Sequence, residues 1–330
     1  MRVLGFVSRH LTVLILAVMI AGLLNAAFLG GIPFNIGICA SASFLMIYPM
    51  FINLKVEDVA EIRNFKLPVA TSLVINFLLS PLYAYILARV FLREQPYMAL
   101  GLMLISVIPT SGMTATWTQL GRGNLKTALS IIAISLLVVI VALPVSLPVL
   151  AGGHLAASPL FILERILFVI VIPLVLGDIT RRVLVARKGL AYYQGKKPMF
   201  SALSSVGLLF VLFLIMSLST NKMLVSNPQL ALFGLVPLAI YYLAMFATSS
   251  LLTWRMDYPV RIAVIYGTSV RYLALALGIA VPILGTGHDS SMVVFQVALA
   301  FFVQVPLSSL YARMAPRLLG AEPAGKPAVA

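Results

Sequence analysis

Charge is scarce in this 330-residue chain: 10% of its residues are Asp, Glu, Lys or Arg, against about 25% in a soluble domain. Acids number nine, histidines three and cysteines one. Each shortage excludes something. An apolar content of 62% with so little charge rules out both an ordinary soluble enzyme and a disordered chain. A lone Cys39 excludes an internal disulfide framework and any multi-cysteine metal or iron–sulfur site; it reads as a buried, inert thiol. His10, His154 and His288 are too scattered to form a metal centre. No Ser/His/Asp set, aspartate pair or His-Glu-x-x-His segment is present, so an enzyme within the membrane has no recognisable machinery. No cofactor is implied.

What the chain has in abundance is long apolar runs, and its mean hydropathy is +1.08. A helix crossing a bilayer needs about 20 such residues. Ten runs fit, near 11–29, 33–53, 68–92, 98–119, 127–149, 159–180, 200–218, 229–253, 261–285 and 290–312. The reading is an all-α polytopic membrane protein of ten transmembrane helices. Most connections are short. The two longer, charged ones run from Leu54 to Lys66 and from Arg181 to Lys197.

A net charge of +14 would suit a nucleic-acid binder, but the bases do not make one face. They collect at alternate crossings, the pattern that orients a chain in a membrane. With an inside N-terminus, only Arg89, Arg93, Arg165 and Lys222 fall outside, and Arg271 lies within a span; the other bases lie inside. Both termini are therefore expected in the cytoplasm, and the protein in an inner (plasma) membrane of prokaryotic type. Nucleic acid is not an expected partner; membrane lipid and a small-molecule solute are. Oligomeric state is not legible. The basic Arg181–Lys197 connection suits an anionic lipid surface. The N-terminus also has the outline of a signal peptide, with Arg2, Arg9 and an apolar run before Asn25-Ala26-Ala27. Counting it instead as the first span gives a five-plus-five arrangement.

Spans 1–5 then start inside and spans 6–10 outside, so the halves have opposite orientations, a recurrent plan of secondary transporters. The expected units are 1–153 and 154–313 as inverted repeats, with 314–330 as a cytoplasmic tail. Each half breaks its own fourth span. Pro109 and Gly112 interrupt the first within Ile108-Pro109-Thr110-Ser111-Gly112-Met113-Thr114, and Gly267 the second within Gly267-Thr268-Ser269-Val270-Arg271. Either break alone reads as a packing kink. Paired breaks in opposed halves read as a binding site, because unwound backbone at membrane depth is tolerated where it lines an enclosed cavity.

Arg271 is the only base deep in a span, where insertion costs roughly 2.5–3.5 kcal/mol. No acid is deeply placed to pair with it, so its partners are backbone carbonyls or a bound anion. Thr110, Ser111, Thr114, Thr268 and Ser269 are candidate solute ligands around it, braced by Asn76 of the Asn76-Phe77-Leu78-Leu79-Ser80-Pro81 segment. For Asn76 a packing hydrogen bond is the competing role. Gly121-Arg122-Gly123-Asn124 reads as a turn, not a phosphate loop.

Four stretches, Phe44-Leu45-Met46-Ile47-Tyr48-Pro49-Met50, Asn76 to Pro81, Pro109 to Trp117 followed by Leu120 and Gly121, and Ser269 to Val281, resemble the bile acid:sodium symporter clan, and within it the arsenical-resistance permeases. The resemblance covers most of residues 35–285. It implies spans four and nine crossing at the site, in a core domain beside a panel domain, and transport by alternating access. Two departures stand out. The arsenite permeases similar to this chain carry a cysteine where Thr110 stands and a glutamate where Ala274 stands; a threonine hydroxyl cannot supply the thiolate that a thiophilic metalloid prefers. The bile-acid branch's sodium pattern is also absent from span nine. Ser111, Thr114 and Ser269 still offer oxygens suited to sodium, and the coupling ion, sodium or proton, stays open. Three readings remain: a carrier of a small, anionic solute; an arsenite or antimonite exporter lacking the usual cysteine; and a transport-inactive receptor on the same scaffold.

Overall fold

The computed structural model describes residues 11–32, 36–53, 65–151, 158–217, 228–284 and 288–319. Arg2, Arg9, His10, His154, Lys222, the connection 54–64, the tail from 320 onward, and the side chains of Cys39 and His288 lie outside the described set. Among the described residues the chain is helical throughout, with one isolated β-bridge. The helices are α1 Leu11–Phe28, α2 Ile36–Ile52, α3 Lys66–Val74, α4 Ser80–Phe91, α5 Pro96–Val107, α6 Met113–Leu120 and α7 Leu125–Ala151. They continue as α8 Pro159–Ile166, α9 Ile172–Lys188, α10 Leu190–Met216, α11 Pro228–Leu252, α12 Tyr258–Ser269, α13 Leu273–Leu284 and α14 His288–Leu318. Five helical stretches are long and apolar enough to cross a bilayer: α3 running on through α4, and α7, α10, α11 and α14.

Short π segments, Ile75–Leu79 and Leu167–Val171, join α3 to α4 and α8 to α9. Each ends two residues before a proline, Pro81 or Pro173. Proline has no N–H to return to the preceding turn, and a π turn is one way a helix absorbs the missing bond without stopping.

Three sequence expectations change. The stretch Arg181–Lys197 is not a loop: α9 runs to Lys188 and α10 starts at Leu190, with Gly189 alone between them at φ +83°. That left-handed conformation costs glycine little, so one residue turns the chain where a long connection was expected. Gly267 does not break its helix. It lies inside α12, and the interruption is Val270-Arg271-Tyr272. A Cβ on Gly267 would approach Ile131 Cγ2 to 2.8 Å, so the glycine serves contact with α7. The last helix also runs past 313 to Leu318, into the stretch read as tail. The turn at Gly121–Asn124 is as expected, with Arg122 at φ 58° and Asn124 Oδ1 accepting from the Thr127 N–H at 3.1 Å to cap α7.

Helices α1, α2, α9 and α10 pack on one another, while α5, α7, α11, α12 and α14 make a second packed set; α13 meets both α2 and α14. Without a hydrophobic drive between helices in lipid, close approach and interhelical hydrogen bonds hold such sets together. The α2–α10 seam uses both. Gly207 lies so near α2 that a Cβ would stand 2.8 Å from Met46 Cα. Ser204 Oγ donates to the Met46 carbonyl at 2.6 Å, and Asn53 Nδ2 donates to Lys197 O at 3.1 Å. Gly207→Val should therefore wedge the seam against rigid backbone and cost about 1–3 kcal/mol. Thermal unfolding of the detergent-solubilised protein reads the loss, and Gly195→Ala, whose Cβ would meet nothing within 4 Å, should cause none.

A pair of broken helices around Arg271

The site begins with unmet backbone. Where α5 stops at Val107 and α12 at Ser269, the last turns leave carbonyls with no helical partner, and at membrane depth no water is at hand to take them. The two broken stretches meet these needs together. Thr110 and Arg271 pair as an antiparallel bridge: Ser111 N donates to Val270 O at 3.1 Å, and Tyr272 N donates to Pro109 O at 3.0 Å. Residues between broken helices thus form the smallest possible sheet.

Side chains finish the task. Gln304 of α14 acts as a third strand along the far edge of Arg271: its Oε1 accepts from Arg271 N at 2.8 Å and its Nε2 donates to Arg271 O at 3.1 Å. The Tyr242 hydroxyl donates to the same Oε1 at 2.9 Å, tying α11 to the arrangement. Asn76 and Ser80, one turn apart across the first π segment, cap both half-helices. Asn76 Nδ2 donates to Gly267 O at 2.9 Å, and Ser80 Oγ donates to Ser106 O at 2.8 Å while accepting from the Tyr241 hydroxyl at 2.6 Å.

Beside the crossing lies a cavity of about 80 Å³. One wall is the broken pair and α14: Ser111, Met113, Arg271, Tyr272, Leu273, Ala274, Phe301 and Gln304. The other is Met46 and Met50 of α2 with Ser204, Ser205 and Leu208 of α10. The Tyr272 hydroxyl reaches Met50 Sδ at 2.9 Å, linking the two walls. Both second half-helices, α6 and α13, start at this cavity, so the positive ends of their dipoles lie beside it.

Arg271 is 1% exposed. Its Nη1 donates to Ile108 O at 3.3 Å, but Nε and Nη2 have no hydrogen-bond partner. These two nitrogens form one edge of the guanidinium, the fork that takes a carboxylate or oxyanion through two parallel bonds. Among the described residues the ion pairs join Asp178 to Arg181 and Arg182, far in sequence from this site.

Of the residues singled out from sequence, Ser111 and Arg271 line the cavity. Ser111 Oγ also accepts from the Met113 N–H at 3.1 Å, at the head of α6. Thr110 and Thr114 lie within the crossing itself: Thr110 Oγ1 reaches Val270 O at 3.0 Å, Thr114 Oγ1 reaches Tyr266 O at 3.3 Å, and the two hydroxyls are 2.7 Å apart. Two hydroxyl protons serve those three contacts. Thr268 donates back into its own helix, to Val264 O at 2.9 Å, and accepts from Ser249 at 2.6 Å. Ser269 Oγ and Asn76 Oδ1 are buried without a partner. None of Asn76, Thr110, Thr114, Thr268 and Ser269 is among the cavity-lining residues.

Gln304, Tyr242, Ser80 and the cavity methionines were not singled out. Gln304 had a signal: an amide within an apolar span must find partners at depth. Gln304→Leu strips partners from Arg271 N, Arg271 O and the Tyr242 hydroxyl at once, and should cost about 3 kcal/mol or more, while Tyr242→Phe should cost about 1 kcal/mol. Thermal unfolding in detergent would rank the two.

Comparison with known proteins adds to this geometry. The sequence model described as "Sodium Bile acid symporter family" matches residues 40–228. The chain is 26% identical to "Arsenical-resistance protein Acr3" of Alkaliphilus metalliredigens, over 92% of this chain and 90% of that protein. It is 25% identical to the protein of the same name from Corynebacterium glutamicum, over 83% and 76%. It is also 25% identical to the "Uncharacterized sodium-dependent transporter YocS" of Bacillus subtilis, over 75% and 73%.

Proposed function

Because the chain belongs to the sodium bile acid symporter family, a family of membrane transporters, we propose that it is a secondary transporter carrying a small anionic solute past Arg271 by alternating access. The observation that carries this reading is a fully buried guanidinium, two of its nitrogens without a protein partner, in a residue that lines a cavity between two packed helix sets. A charge buried at this depth without a counter-ion is costly, and an anionic solute supplies that counter-ion with two hydrogen bonds at Nε and Nη2.

In this reading the ten apolar runs are ten spans in two inverted repeats. The set around the crossing is the core domain, and α1, α2, α9 and α10 belong to the panel. Rocking of one set against the other opens the cavity to each side in turn. The protein is integral to an inner membrane, with both termini cytoplasmic. The cavity is small: about 80 Å³ lies well below the roughly 300–1,000 Å³ of pockets for drug-sized ligands, which favours a small solute over a steroid. Ser111 adds a hydroxyl beside Arg271. The buried oxygens of Thr114, Ser269 and Asn76 are the groups to test for sodium coupling, since proton coupling lacks a carboxylate or histidine at the site.

A second reading, arsenite or antimonite export, is favoured by the likeness to the two arsenical-resistance proteins. Purified protein in vesicles separates the readings. Flux of arsenite, acetate and pyruvate would be measured under imposed sodium, proton or no gradients, with empty vesicles as control. The anion reading expects carboxylate flux that Arg271→Ala abolishes and Arg271→Lys cuts about 10- to 100-fold, because lysine keeps the charge but not the planar fork. Arsenite flux alone selects the second reading. Wild-type carboxylate flux in folded Arg271→Ala overturns the first.

A further inference from the structure

The elbow between α9 and α10 lies apart from the cavity and carries its own pattern. From Ile179 to Lys197 there are six bases, Arg181, Arg182, Arg187, Lys188, Lys196 and Lys197, and no acid. Orientation in the membrane does not require this. The other long basic connection, Leu54 to Lys66, sets Glu57, Asp58 and Glu61 among Lys55, Arg63 and Lys66, and it counts just as well toward an inside location. At the elbow, Asp178 just before the stretch binds Arg181 at 2.7 Å and Arg182 at 2.6 Å. That engages the carboxylate that immediately precedes the stretch in sequence.

The turn at Gly189 then brings two ammonium groups onto one ring. Lys188 Nζ stands 4.9 Å and Lys196 Nζ 5.5 Å from the centre of the Tyr192 ring. Two like charges sharing one exposed ring repel each other, and the sequence from Ile179 to Lys197 holds no acid to offset them. Exposed apolar side chains lie along the same helix pair: Ile179 and Val183 on α9 and Leu190 at the start of α10. The combination is a cationic cradle edged by apolar surface at the end of a helix pair.

We propose that the α9–α10 elbow binds the phosphate headgroup of an anionic phospholipid, between Lys188 and Lys196 and over Tyr192, with the acyl chains along Val183 and Leu190. A lipid fits better than a free anion because both halves of the ligand are provided for: charge at the ring, hydrocarbon beside it. The site has a mechanical connection to the cavity. The Tyr193 hydroxyl donates to Ile52 O at 3.0 Å, and the Tyr48 and Thr180 hydroxyls meet at 2.7 Å. Both contacts fall on α2, whose Met46 and Met50 line the cavity wall. A lipid held at the elbow therefore pins the α2–α9–α10 group to its leaflet, against which the other helices move.

The test needs no knowledge of the solute. The purified protein would be titrated with phosphatidylglycerol, with phosphatidylcholine and with inorganic phosphate, reading retained lipid by native mass spectrometry and the unfolding temperature in parallel. Lys188→Gln/Lys196→Gln is the variant; both side chains are at least partly exposed, so folding is not at stake. Expected is phosphatidylglycerol retention at least fivefold above phosphatidylcholine, a matching rise in unfolding temperature, and loss of both in the double variant and in high salt. Equal retention of the two lipids overturns the proposal, as does undiminished preference in the double variant. A thermal shift given equally by inorganic phosphate would make the elbow a free-anion site and overturn it too.

Discussion

The backbone pairing of Thr110 with Arg271 is the contact on which the rest of the site depends. Breaking two helices at membrane depth exposes carbonyls and amides that lipid cannot satisfy. Bringing the two breaks together lets each satisfy part of the other, through Ser111 N to Val270 O and Tyr272 N to Pro109 O. The residual demands fix which polar side chains the surrounding helices must carry. Gln304 completes the outer edge of Arg271, Asn76 takes Gly267 O, and Ser80 takes Ser106 O. The crossing is thus a cause, not a consequence, of the few polar residues buried around it.

That causal order explains what could be read in the sequence. Charge poverty, ten apolar runs and the asymmetry of lysine and arginine required no structure, and neither did the break at Pro109, which proline chemistry announces. Arg271 stood out because its environment made it expensive. Gly267 misled because glycine weakens a helix in isolation, whereas here Ile131 of α7 leaves no room for a Cβ. The true interruption, Val270-Arg271-Tyr272, contains neither glycine nor proline. It is imposed from outside by pairing with the first break and by the Gln304 amide, and single-chain propensity cannot show that. The Arg181–Lys197 stretch misled in the opposite sense: basic composition suggested a loop, but lysine and arginine are good helix formers, and one glycine sufficed to turn the chain.

Hydroxyl residues were legible as a group but not in their division of labour. Thr110 and Thr114 hydrogen-bond with each other and with the Val270 and Tyr266 carbonyls, and Thr268 donates back to Val264 O of its own helix. Ser111 alone of the five hydroxyl residues reaches the cavity. The division follows from the alternation of an extended segment, in which neighbouring side chains point to opposite faces: Thr110 turns into the crossing, Ser111 out of it. Sequence places the two residues side by side; only the pairing register decides which one a solute could meet.

The missing carboxylate also constrains how the proposed cycle is driven. With Ala274 on the cavity wall and, among the described residues, no acid beside Arg271, the site without solute carries one positive charge, buried at 1% exposure. Loading a monoanion neutralises it, so the loaded form is the cheaper one to occlude between the helix sets. Adding a sodium ion to that loaded form would restore the net charge and remove the advantage. Under the proposed anion reading, such a site would favour return in the loaded state, which is exchange of one anion for another, over return empty. Where a carboxylate faces the arginine, the balance reverses: the empty site is already neutral, and a neutral solute or a cation-coupled anion leaves it less perturbed. Under that reading, the side chain at position 274 would bear on the mode of coupling as directly as Arg271 would on the charge of the solute.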